Sequence, residues 1–161
     1  MKISDYNDGL SLLANIGVIA GIFFLAFELQ QNTNIARANA YQQLNQDLAV
    51  VREWLVSDPV LDELYRKYQI GQSRELDEQE IRRISTIVRS MIAAYDNAYY
   101  FYTLGVISES EWRRFFVGAC FQFRSISSDD RLRRIPISEE FTDFMRSAIE
   151  QDECTFSEES E

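Results

Sequence analysis

Apolar positions fall along this chain in two ways. Between residues 10 and 29, LSLLANIGVIAGIFFLAFEL, they are nearly continuous, and Ser11, Asn15 and Glu28 are the only polar interruptions. After that they recur every three or four positions, the spacing of helices with one buried face. The continuous stretch covers every side of a helix, where a surface helix would keep a polar face. Its twenty residues meet the roughly 20 needed to cross a hydrocarbon core of about 30 Å. It therefore predicts a single N-terminal transmembrane helix. The competing reading buries it inside a soluble bundle. A cleavable signal peptide fits less well, because the start MKISDYNDG carries one Lys against two Asp.

No Gly or Pro follows between Gln30 and Ser57, so the same helix is expected to run on to about Ser57, joining membrane contacts mechanically to the packing outside. Asn and Gln dominate 30–46, and a stripe then develops at Tyr41, Leu44, Leu48, Val51 and Leu55. It predicts the first helix of a bundle in preference to a juxtamembrane coiled coil. Asp58 and Pro59 announce a new helix, a cap followed by Pro at the first position. Gly71 ends it. Asp77 with Glu80 has capping-box spacing and opens the longest soluble helix, striped at Ile81, Ile84, Val88, Met91, Ile92, Tyr95, Tyr99 and Tyr102, with Gly105 as its stop. Ser108 with Glu111 opens the next, whose short connection makes it an antiparallel neighbour. Ser127 to Asp130 is expected to cap a short turn, and Ser138 a last helix carrying Phe141, Phe144, Met145, Ala148 and Ile149.

The fold class is all-α: a transmembrane helix continuing into a small antiparallel helical bundle. The expected divisions are a polar lead over 1–9 with Asp8 as N-cap, the membrane helix over 10–29, a helical domain over 30–151 and an acidic tail over 152–161.

Composition narrows the function. Six of the ten excess negative charges lie in residues 150–161, which contain no base, and a chain of net charge −10 is no general nucleic-acid binder. The chain has no His, which removes the commonest general base and metal ligand. Cys120 and Cys154 make no framework, and reduced thiols suit a cytoplasmic domain. Positive charges flanking the apolar stretch, Lys2 and the terminal amine before it and Arg37 after it, scarcely choose an orientation. The lean is toward a cytoplasmic C-terminal side. No metal, cofactor or catalytic residue is expected. Di-iron, thiol and phosphate-loop templates each lack an essential residue.

Two constellations remain. Gly17 and Gly21, with Ala14 and Asn15 beside them, form a small-xxx-small face on which a second membrane helix packs closely. The expected partners are the bilayer, a second copy or another membrane protein. Tyr95, Asp96, Tyr99 and Tyr102 crowd one region of the long helix. They are either an aromatic core with satisfied polar tips or the lining of a ligand pocket, with an enzyme using Asp96 and a Tyr as the remotest reading. Three Arg pairs, at 82–83, 113–114 and 133–134, with Arg124 and Arg131, have acids interleaved and read as surface ion pairs; an anion or lipid-head site is the alternative.

The segments Asn15-Ile16-Gly17 and Phe27-Glu28-Leu29-Gln30-Gln31-Asn32-Thr33, then Tyr41-Gln42, Ser57-Asp58-Pro59, Asp96-Asn97-Ala98-Tyr99-Tyr100, Gly105, Trp112 and Ser138-Glu139-Glu140-Phe141, resemble an uncharacterised family of small bacterial proteins. In that family an apolar helix ending in a QNT motif precedes a helical region. The resemblance implies a helical protein anchored by a single pass in the bacterial inner membrane, and it implies no activity. It leaves a membrane-anchored scaffold or accessory protein as the expected function, with a small-ligand-sensing domain as the alternative.

Overall fold

The computed structural model describes the backbone of residues 3–132 and 134–154, and side chains from residue 13 onward within that span. All the regular structure described is helical, in the order α1 (Ile3–Ser57), α2 (Pro59–Gln69), a single 3-10 turn (Ser73–Glu75), α3 (Glu78–Thr103), α4 (Glu109–Ser127) and α5 (Glu139–Glu150). Two compact units divide the chain, Met1–Asn39 and Ala40–Glu161.

In the first unit α1 is unbroken. It begins at Ile3, so the expected polar lead is already helical and Asp8 lies within the helix instead of capping it. Among its described residues, 13–29, the apolar stretch buries none. Phe23, Leu29 and Leu13 are 73%, 69% and 67% exposed, and Ile16, Val18, Ile19 and Ile22 are exposed as well. One helix near the N-terminus is thus long and apolar enough to cross a membrane.

In the second unit the C-terminal part of α1 enters the core. Leu44, Leu48 and Val51 are buried, with Tyr41 and Leu55 packed against them. The bundle reading of this stripe holds. Tyr41 meets Phe115 edge-on, ring centroids 5.7 Å apart. Helix starts are set by side chains. Asp58 accepts hydrogen bonds from the Val60 and Leu61 amides at 3.0 and 3.1 Å, and its other oxygen pairs with Arg83 at 2.7 Å, tying α2 to α3. Both capping boxes are formed. Gly71 (φ 77°) and Gly105 (φ 68°) end α2 and α3 in the left-handed region that a side chain disfavours.

The centre of the bundle is α3 against α4, with α2 packed on α3 and α5 packed on both. Ile84, Val88, Ile92, Ala98, Ala119, Leu132, Phe141 and Met145 are fully buried. Each large one contributes about 1.5–3 kcal/mol by leaving water. Between α4 and α5 the described chain makes turns without a further helix. Asp129 fixes them, accepting from the Arg131 amide at 3.0 Å.

Candidate functional site

The four residues singled out on α3 do not share one role. Tyr95 is buried and reaches across to α4, where its hydroxyl and ring edge lie over Gly118; a Cβ there would collide with them. Burial raises its pKa. Asp96 faces the start of α5. Its carboxylate accepts a hydrogen bond from the Ser138 amide at 2.9 Å and another from the Ser138 hydroxyl, which in turn accepts from the Phe141 amide at 3.2 Å. Asp96 therefore braces the cap of α5. Tyr99 packs its ring on Phe144 (4.6 Å, stacked) and near Trp112 and Phe141. Tyr102 stacks on Trp112 at 5.9 Å and alone of the four borders an open space. The first three belong to the core and its fastenings, because α3 presents them to α4 and α5.

The space beside Tyr102 is a cleft of about 660 Å³ between α4 and the end of α5. Its floor is aromatic: Tyr102, Trp112, Phe116 and Phe144. Its rim is charged: Glu109, Arg113, Asp152 and Glu153. Arg113 is held by Glu109, donating through Nε and Nη2 at 3.2 and 2.9 Å. Asp152 sits 3.9 Å from Arg124 and adopts a left-handed φ of 57°, ending the helix there. Trp112 is itself buried and Phe116 and Phe144 pack against the core, while Asp152 and Glu153, expected in the acidic tail, line the rim.

What brings the acidic wall to α4 is a disulfide, Cys120 to Cys154, with Cα atoms 5.9 Å apart. The expectation of two reduced, unrelated thiols is overturned. Cys120 lies one turn beyond Phe116 on α4, so bonding it to Cys154 brings residues 152–153 alongside the aromatic floor. The pairing carried the missing signal, and two cysteines 34 residues apart do not reveal it by spacing. The expected tail is thus tied down through residue 154; its remainder, 155–161, lies outside the described residues.

Elsewhere the polar groups are occupied structurally. Gln122 is buried between tyrosines: the Tyr68 hydroxyl donates to its carbonyl at 3.4 Å, and its amide donates to the Tyr65 oxygen at 2.6 Å. Tyr65 donates onward to Met91 Sδ at 3.3 Å. Burial raises the pKa of both tyrosines. Arg131 grips Asp129 and the backbone carbonyls of Ser73 and Leu76, fastening the 3-10 turn to the segment after α4. The Arg131 guanidinium beside it lowers the Asp129 pKa to about 2. Arg82, Arg83 and Arg113 pair with acids and Arg114 with the Tyr41 hydroxyl; Arg133 lies outside the described residues. Among the described residues no cluster of His, Cys, Asp and Glu is arranged to hold a metal. On α1, Gly17 and Gly21 have open space where a Cβ would stand, and Ala14 and Asn15 are exposed.

No family model, curated protein or solved structure matches the chain.

Proposed function

We propose that the chain is a membrane-anchored helical interaction protein, a scaffold or accessory subunit, in which α1 holds the 40–154 bundle at the surface of a bacterial inner membrane. The observation that carries this reading is the exposure of the described part of the apolar stretch of α1, residues 13–29, none of which is buried. A helix of this length and composition is stable where lipid or a second membrane helix covers it. The small face of Ala14, Asn15, Gly17 and Gly21 suits self-association or docking onto another membrane protein. The same reading sets the chain beside the small bacterial proteins with the QNT motif.

The side of the membrane follows the cysteines. Reduced thiols were the ground for a cytoplasmic domain, and the pairing of Cys120 with Cys154 removes it. Disulfides persist in the periplasm and are rare in the cytosol, so the pairing supports a bundle on the periplasmic face. A reporter fused after the bundle that folds only in an oxidising compartment should be active; activity of a cytosol-only reporter instead would reverse the orientation. Replacing Gly17 and Gly21 by Leu should abolish crosslinked dimers in native membranes. Unchanged crosslinking would remove that face from the proposal. A second reading, ligand sensing, is favoured by the cleft between α4 and α5.

A further inference from the structure

We infer that the bundle pairs with a second copy of itself through the outer face that α1 and α3 share. The inference goes beyond the anchor and does not require it. The two helices run antiparallel here. Asp58 pairs with Arg83, and farther from that pair Val50 and Trp54 of α1 border a groove of about 310 Å³ with Ser90, Ala93 and Ala94 of α3. Trp54 and Val50 are 42% and 43% exposed. Tyr100 and Leu104, also exposed, fall seven and eleven residues after Ala93 and so continue the surface along the same side of α3. An indole left half bare beside a recess lined by Ser and Ala is a knob beside a hole, and Trp is the side chain that most often anchors a protein interface. A two-fold axis along the helices sets α1 of each copy against α3 of the other, so each Trp54 enters the other's recess.

Charge selects the occupant. Glu53, exposed on α1, lies one turn from Val50, and Arg89, exposed on α3, lies one turn from Ala93. Among the described residues neither has an ion-pair partner. Glu53 stands five residues before Asp58 and Arg89 six after Arg83, so on antiparallel helices the two are at nearly the same height. The two-fold that seats the indoles therefore brings Glu53 to Arg89 of the second copy, and does so twice. A partner of one charge sign satisfies one of these groups and opposes the other; a second copy satisfies both. A patch of this extent holds a transient pair by itself, and any further contact between the same two chains strengthens it by raising their effective concentration.

The test is equilibrium sedimentation of the full chain in density-matched neutral detergent, from about 1 to 200 μM, a range that spans micromolar and weaker pairing. The parent should follow a monomer–dimer equilibrium. Trp54→Ala should weaken it by about tenfold or more. Glu53→Arg and Arg89→Glu should each weaken it by about tenfold, because the two-fold repeats every lost pair. An equimolar mixture of the two reversed chains should pair within about threefold of the parent, since each then meets opposite charge at both contacts. Unchanged urea midpoints by near-UV circular dichroism show that the variants are folded. A parent that stays monomeric throughout would overturn the second copy as occupant, even if another protein takes the groove. A dimer indifferent to Trp54→Ala and to both reversals would overturn this face and leave pairing to the small face of α1. Reversals that weaken pairing without rescue in the mixture would overturn the two-fold arrangement.

Discussion

Gly118→Ala is the most informative single change in the bundle. Helix propensity alone favours it: Ala in a helix interior is better than Gly by about 1 kcal/mol. Packing opposes it. The new methyl would overlap the Tyr95 hydroxyl, lie 2.8 Å from Cζ and 3.2 Å from Cε1. Tyr95 is only 7% exposed, so its ring has little room to swing away. Overpacking of this kind costs about 1–3 kcal/mol. A clash near the upper end, less the propensity gain, leaves a net loss of about 1–2 kcal/mol, or a fall in Tm of about 5–10 °C for a domain of this size. Near-UV circular dichroism during urea titration in detergent reads the loss, since both Trp and every Tyr but Tyr6 lie beyond residue 40, in the second unit. The Tyr95→Phe background removes the atom nearest the methyl. There Gly118→Ala should cost measurably less, by about 0.5–1 kcal/mol of coupling. If Gly118→Ala is neutral or stabilising in the parent, propensity alone is being read and Tyr95 does not cross α4 at this point. The core assignment of Tyr95 would fall with it.

Asp96→Ala strips the brace from the α5 cap and should destabilise the bundle by about 1–3 kcal/mol, read by the same titration. Asp129 has a folded pKa of about 2, below its unfolded value. Its contribution is therefore present above pH 4 and lost as pH falls toward 2; Asp129→Asn should be less stable at pH 7 and show a flatter profile across that window. Cutting the Cys120–Cys154 link by Cys154→Ser opens a 34-residue loop and should cost about 3–4 kcal/mol by chain entropy, and a reducing agent should lower the parent's urea midpoint but not the variant's.

The helices were legible because caps and stripes agree. Asp58 with Pro59, Asp77 with Glu80, Ser108 with Glu111, and Ser138 each start a helix where local chemistry requires one, and the stripes from Leu44 to Met145 are the buried face. The site was not legible, for two physical reasons. The residues of an aromatic stripe look alike in sequence, whether a ring is walled in by a neighbouring helix, as Tyr95 is, or left at the edge, as Tyr102 is. The other reason is that Asp152 and Glu153 gain their place only through a covalent link between distant cysteines. Asp96 is intermediate: an acid amid tyrosines suggests a hydrogen bond from a Tyr hydroxyl or an Arg, whereas its partner is the Ser138 cap, 42 residues away.

An anchoring α1 requires that lipid cover its apolar stretch. Alkaline carbonate extraction of native membranes carrying the full chain measures this most directly. An integral span keeps the protein in the membrane pellet at high pH, which is the expected result. Recovery of the full-length chain in the soluble fraction would contradict the anchor and leave the exposed face of α1 to be covered by protein instead.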